Sequence, residues 1–273
     1  MPGFKGISRR MQRKDLLAAL PHSWRRRLGD FRFQPVTRGM SDAQVFRLHS
    51  HSGGTLYLKT AALEALPELR SEIERTWWLS ARHVKVPAIL DVFDDGERGV
   101  ALMTALAGSH PYEAVLPTAD IVAALARGLR ALHALPAADC PFDETTGARL
   151  ARARAAIEAG RVDAAEFDDR NSGRSPLEIY DALAAEAPRI AEDAVLVHGD
   201  ATFDNMLLDA GGNLGFIDCG HAGRGDRYLD LEAVTSDIAE HFGSQWIEPF
   251  ARAYGIALDA AKLRFFDDLY ELF

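Results

Sequence analysis

Apolar and polar positions alternate over Val45-Phe46-Arg47-Leu48, stop at Ser52-Gly53-Gly54, and resume over Thr55-Leu56-Tyr57-Leu58-Lys59. A period near two on both sides of a glycine break predicts a hairpin within a strand-rich stretch over 31–60. The period then lengthens. Pro67 suits a first helical position, and Leu69, Ile73 and Trp77 come next at intervals of four, predicting a helix to about Arg82 with these three on one face. Val84 to Val92 and Gly99 to Thr104 read as further strands, split by an Asp94-Asp95-Gly96 turn. Beyond the small, loop-like Ala105-Leu106-Ala107-Gly108 the pattern becomes helical. One helix is expected over about 119–135 behind Thr118 as cap, and an Ala/Arg-rich one over 148–159. Another opens at Ser175-Pro176-Leu177-Glu178, a capping box with proline at the first helical position. The shift near residue 105 predicts an α+β chain of two lobes. The strand-rich lobe is 1–104, its residues 1–10 expected to be disordered, and the mainly helical lobe is 105–273. No internal repeat is visible.

One stretch departs from the helical pattern. Val195-Leu196-Val197-His198 reads as a buried strand, 199–205 as a loop. Met206-Leu207-Leu208 and Leu214-Gly215-Phe216-Ile217 then flank the turn Asp209-Ala210-Gly211-Gly212-Asn213 as a tight hairpin. A hairpin returns its end close to its beginning. Asp200 and Asn205 before it and Asp218 after it should therefore converge.

Composition narrows the class. The chain has 273 residues, 48% hydrophobic and 26% charged, which suits one large or two small globular domains and excludes wholesale disorder. Two cysteines cannot build a disulfide framework; Cys140 and Cys219 read as reduced thiols, favouring the cytosol. No apolar run approaches a bilayer span, and the first thirty residues lack the apolar core of a secretory signal. Charge is uneven. Lys5, Arg9, Arg10, Arg13, Lys14, Arg25, Arg26 and Arg27 outweigh Asp15 and Asp30 in the first thirty residues, although the whole chain carries −9. An acidic body argues against a nucleic-acid partner and suits a cationic ligand, or simply a solvated acidic surface. The polar leader also makes Met11 an alternative start.

His198-Gly199-Asp200, four further residues and Asn205 have the spacing H-x-D-x-x-x-x-N of a kinase catalytic loop, and Asp218-Cys219-Gly220 stands where kinases carry D-F-G. Phosphoryl transfer needs a carboxylate to orient and deprotonate the attacking hydroxyl, which Asp200 supplies. It needs hard oxygen ligands for Mg²⁺, and the Asn205 amide and Asp218 carboxylate fit. Lys59 ends a strand and Glu72 lies in the following helix, a pair able to hold an ammonium toward α- and β-phosphates. The Gly39-Met40-Ser41-Asp42 turn can lay N–H groups and the Ser41 hydroxyl over phosphates. Singly, each residue has an ordinary reading: Asp200 a turn former, His198 a hydrogen-bonded core histidine, Cys219 an apolar filler, Lys59 and Glu72 surface charges. A zinc site from His198, Asp218, Cys219 and His221 is conceivable, but its spacing matches no common zinc pattern.

Taken together, Val197 to Asn205, Gly215 to Gly220, Asp226-Arg227-Tyr228-Leu229-Asp230, the loop from Gly39 to Leu48, Cys140-Pro141-Phe142-Asp143 and terminal Glu271-Leu272-Phe273 resemble the bacterial aminoglycoside 3′-phosphotransferases. The likeness runs from about Thr37 to Phe273. The resemblance implies a protein-kinase-like fold with a strand-rich N-lobe and a helical C-lobe. It implies ATP, with GTP open, between the lobes, its adenine against Phe46 and the backbone from Met103 to Leu106. Mg²⁺ would be held by Asn205 and Asp218, and Asp200 would activate a sugar hydroxyl. The acids matching the family's polycation site are Glu166, Asp168, Asp169, Glu240 and Glu271, with the C-terminal carboxylate of Phe273; Asp204, inside the catalytic loop, is a candidate to add another. The resemblance thus implies a cytoplasmic resistance kinase acting on the 3′-hydroxyl of kanamycin-type drugs, a monomer or weak dimer with no nucleic-acid or membrane partner. Four positions depart: His221 and Ser236 stand where the family carries arginine, Tyr270 replaces an acid, and Arg170 brings a positive charge among the acids. Those departures keep open a kinase of another amino sugar or amino alcohol. A nucleotide-binding regulator is the third reading, opposed by the intact Asp200, Asn205, Asp218 and Lys59. Protein kinase activity is disfavoured because only a short stretch separates Gly220 from Asp226.

Overall fold

A computed structural model describes residues 13–36, 43–51 and 53–273. Ser41 and its turn, and the leader 1–10, lie outside the described residues. By their internal contacts the residues form two units, Met1–Leu106 and Ala107–Phe273.

The first unit is built on a five-stranded antiparallel sheet of order β1-β2-β3-β5-β4. Its strands are β1 (Arg32–Val36), β2 (Gln44–His49), β3 (Thr55–Ala62), β4 (Ile89–Asp94) and β5 (Arg98–Thr104). The expected hairpin is present, with Phe46 opposite Leu58 and Val45 opposite Lys59. Period-two alternation then sorts the two faces. Phe46, Leu48, Leu58, Val100 and Leu102 pack on one side against Leu16, Leu20, Trp24 and Leu28. Leu16 lies in α1 (Arg13–Ala19), Leu20 directly after it, and Trp24 and Leu28 in α2 (His22–Leu28), elements hidden among the basic residues of this stretch. The other face carries Ala61 and Ala101, covered by Leu69 and Ile73 of α3 (Leu66–Ser80). Proline at the start of α3 agrees with the expectation; Trp77 does not, for it is 50% exposed at the end of the stripe. Val84 to Ala88 is irregular, and β4 begins only at Ile89, past Pro87, whose nitrogen cannot donate to a ladder.

The second unit is mainly helical. In chain order it contains α4 (Thr118–His133), α5 (Thr146–Glu158), α6 (Pro176–Glu186), α7 (Tyr228–Phe242), α8 (Ile247–Tyr254) and α9 (Ala260–Tyr270). Thr118 is the first helical residue rather than a side-chain cap, with Pro117 in the capping position. The capping box of α6 forms as read, Ser175 Oγ accepting from Glu178 and the Glu178 carboxylate accepting from Ser175. Two short ladders lie among the helices: β6 (Ala194–Val197) with β9 (Gly223–Asp226), and β7 (Met206–Leu208) with β8 (Leu214–Phe216). Among the described residues no helix is long and apolar enough to cross a membrane.

Candidate active site

In the second unit, buried β6 delivers the chain to His198, and the loop beyond it hangs from a single buried acid. Asp230, in the first turn of α7, accepts the His198 N–H at Oδ2 and the Gly199 N–H at Oδ1, each at 2.7 Å. His133 Nε2 lies 2.9 Å from Oδ2, and its Nδ1 lies 2.7 Å from the Tyr254 hydroxyl. Burial pushes the Asp230 carboxyl upward, but His133 and the donors from the loop outweigh it and hold the group below its ordinary value. Gly199 has φ 80°, and a Cβ there would stand 2.2 Å from the His221 carbonyl oxygen. Only glycine fits. The Gly199 carbonyl in turn accepts from Arg149 Nη2 at 2.6 Å, while Arg149 Nε pairs with Glu144 at 2.8 Å. His198 is the support expected of it: Nε2 faces the Ile217 carbonyl at 2.9 Å and its ring stacks on Phe216.

This frame presents Asp200, half-buried. Its Oδ2 accepts from Asn205 Nδ2 at 2.7 Å, and the same nitrogen reaches the Asp200 carbonyl at 3.0 Å. Ile217 N–H donates to the Asn205 carbonyl at 3.0 Å, which brings the residue before Asp218 against Asn205. Asp218 comes next, in the left-handed region at φ 55°, with its side chain exposed. The loop–hairpin thus pairs Asp200 with Asn205 and brings the backbone next to Asp218 against Asn205. With Nδ2 committed to Asp200, Asn205 keeps Oδ1 as its ligand atom, so an amide oxygen and a carboxylate form a hard donor set that fits Mg²⁺. Zinc at His198, Asp218, Cys219 and His221 does not form. Among the described residues only Asp237, Glu240 and His241 bring three such ligand atoms within 4.8 Å, and Cys219 is fully buried, as an apolar filler should be.

Acids surround this loop in two groups. The first lies on the loop before α6. Asp168 N–H donates to Glu271 Oε1 at 3.0 Å, and Arg170 Nη2 reaches Asp267 at 2.5 Å, Asp268 at 3.1 Å and Asp168 at 3.3 Å. Asn171 adds a bond to Asp268 at 2.8 Å. Glu166 and Asp169 are exposed on the same loop. The second group holds Asp204, which accepts from the Tyr112 hydroxyl, with Asp237 and Glu240. His241 stacks between Tyr112 and Phe203. Phe273 is half-exposed, with the Arg149 guanidinium 5.6 Å from its ring. Behind both groups burial pushes the Glu232 carboxyl up to about 7, an effect that Asp267 and Asp237 add to and Ser236 Oγ, 2.6 Å away, opposes.

The sheet of the first unit carries the other expected set. Lys59 Nζ lies 2.7 Å from Glu72 Oε2, and both side chains are largely buried. Val45 and Ala101 flank Lys59 across the ladder, and Met103 shares its face. Phe46 corrects the expectation. It is 3% exposed in the core on the opposite face, because neighbours in a strand point to opposite sides; Val45 takes its place beside Lys59.

Sequence reasoning did not assign roles to Asp230, Arg149, Asp267 or Asp268. Arg149 left a trace: it sits at a core position of α5, in register with buried Leu150, Ala153 and Ala156. A charge on an apolar stripe implies a buried partner.

Comparison with known proteins adds independent findings. The family model described as the phosphotransferase enzyme family matches residues 32–266. An aminoglycoside 3′-phosphotransferase from Escherichia coli is 36% identical over 94% of this chain and 96% of its own length. A streptomycin 3″-kinase from Streptomyces griseus is 32% identical over 85% of this chain and 88% of its own. Among solved structures, an aminoglycoside 3′-phosphotransferase of type VIII superposes with a TM-score of 0.82 at 32% identity, covering 92% of this chain and 97% of that one. The aminoglycoside phosphotransferase APH(3″)-Id from Streptomyces rimosus gives 0.80 at 30% identity over 91% and 95%.

Proposed function

This chain belongs to the phosphotransferase enzyme family, and from that premise we propose that it transfers the γ-phosphoryl group of ATP to the 3′-hydroxyl of kanamycin-type aminoglycosides. The observation that carries the reading is the Asp200 carboxylate, held by Asn205 at 2.7 Å on a loop hung from buried Asp230. A carboxylate on a loop anchored in this way is a base already in place when the acceptor arrives.

In the reaction the sugar oxygen bonds to the γ-phosphorus, the bond from that phosphorus to the β–γ bridging oxygen breaks, and ADP leaves. The sugar proton passes to Asp200. Asn205 Oδ1 and the Asp218 carboxylate would hold Mg²⁺, which when bound offsets charge on the phosphate oxygens. Lys59, kept in line by Glu72, serves the α- and β-phosphates. Acids of both groups around the catalytic loop receive the ammonium groups of the drug, which suits the net charge of −9. The phosphorylated drug carries added negative charge, which weakens a ligand that binds RNA through positive charge.

One observation favours a second reading. Arg170 offsets Asp168, Asp267 and Asp268, which thins the acidic wall and suits an amino sugar or amino alcohol with fewer ammonium groups. A substrate panel separates the readings. ADP release with Mg-ATP is measured with kanamycin, with tobramycin, which lacks the 3′-hydroxyl, and with streptomycin. Turnover of kanamycin alone is expected. Equal turnover of kanamycin and tobramycin excludes 3′ transfer, streptomycin turnover moves the chain toward the 3″-kinases, and turnover of none moves it to the second reading.

A further inference from the structure

We infer that Tyr270 is a positioning residue for phosphoryl transfer: its hydroxyl is the second clamp on the Asp200 carboxylate. The inference rests on the phosphotransfer reading above and goes beyond it, because neither the motif nor the family match assigns this residue a role.

The Tyr270 hydroxyl donates to Asp200 Oδ1 at 3.0 Å, while Asn205 Nδ2 donates to Oδ2 at 2.7 Å. The two donors come from elements far apart in the chain and grip opposite oxygens. A carboxylate with one donor can still turn about its Cβ–Cγ bond; with a donor on each oxygen its plane is set. Each oxygen offers two acceptor directions. Tyr270 uses one on Oδ1, so the carboxylate can still accept the proton of a sugar hydroxyl.

The clamp is delivered by a fixed support, not by a loose tail. Tyr270 is the last residue of α9, and its neighbours Leu269 and Leu272 are buried. At the other end of α9, Asp259 caps the helix and Lys262 Nζ pairs with buried Asp226 at 2.6 Å. One residue beyond Tyr270, Glu271 accepts from the Asp168 N–H. The residue Tyr270 remains half-exposed, so it touches the Asp200 carboxylate and also faces solvent. Burial and the adjacent Asp200 carboxylate raise the Tyr270 phenol above its ordinary value, so it stays protonated and remains a donor through the neutral range.

The test uses the full chain as wild type, Tyr270→Phe, Asp200→Asn and the double variant. Tyr270→Phe keeps the ring and removes only the hydroxyl; thermal melts check that all four proteins fold. With Mg-ATP and kanamycin, Tyr270→Phe is expected to lower kcat about 10-fold and leave both KM values within about twofold, because orientation of the base is lost but binding is not. In the Asp200→Asn background the same change should have no further effect, because Tyr270 acts through the carboxylate. A kcat within about twofold of wild type overturns the inference. So does an equal 10-fold loss in the Asp200→Asn background, which marks a merely structural residue, or a loss confined to KM. Failure of the parent reading looks different: the wild type phosphorylates no aminoglycoside. The four proteins are then compared on ATP hydrolysis, where water gives its proton to Asp200, with the same two expectations and the same overturning results.

Discussion

The catalytic loop and the acidic loop before α6 are both polar segments, and they are held by different physics. Around Asp200 the supports are buried: the Asp230 carboxylate, His133 and the Arg149–Glu144 pair are all withdrawn from water. Each buried donor that loses its acceptor there costs a desolvation penalty. Around Arg170 the partners are partly exposed, with side-chain exposures of 40% for Arg170 and 38% for Asp267. Ion pairs of that kind are screened and worth little. The contrast shows which properties can drift. The loop that carries Asp200 hangs from buried groups whose single removal carries a large loss, whereas the charge of the acidic loop can be altered by one surface residue at small cost. On the proposed reading the Arg170 departure bears on acceptor range, whereas Tyr270, which touches Asp200, bears on the chemistry.

Changing one partner in each region puts this contrast to work. Asp230→Asn should have the larger effect. It places an amide in front of the N–H groups of His198 and Gly199 and leaves one of them without an acceptor. Equilibrium urea unfolding should show a loss of about 2–4 kcal/mol, and kcat should fall about 100-fold as the loop loses its anchor. A variant with wild-type stability and turnover would erase the distinction between the two loops. Arg170→Ala should be milder. Stability should change by less than about 1 kcal/mol. Removing the cation beside Asp168, Asp267 and Asp268 should lower the KM for kanamycin about threefold at low salt, an effect that fades as salt is raised, with kcat unchanged. A fall in kcat without a change in KM would place Arg170 with the chemistry instead.

How much of this could be read from the chain depends on whether the information is local. The spacing from His198 to Asn205 and the adjoining hairpin encode their own geometry, because a tight turn leaves few ways to arrange three polar residues. The α6 capping box and the β2–β3 hairpin are local in the same sense. The adenine contact that the resemblance implies for Phe46 is not met because register decides the face, and one step in a strand reverses it. The stripe Leu16, Leu20, Trp24 and Leu28 was present at helical spacing but masked by the surrounding arginines. Asp230 as the hanger of the loop, and Tyr270 as a neighbour of the base, were out of reach because their partners lie on other elements. Arg170 read as a flaw in an acidic wall until α9 supplied Asp267 and Asp268.

Asp200, as the group that takes the proton of the acceptor, is the centre of the proposed chemistry. The most direct measurement is turnover of kanamycin by Asp200→Asn beside wild type, with Mg-ATP affinity determined for both by displacement of a fluorescent nucleotide. If Asp200 is the base, turnover falls by about 10²–10⁴-fold with nucleotide affinity within about twofold. Turnover within about tenfold of wild type would contradict that role.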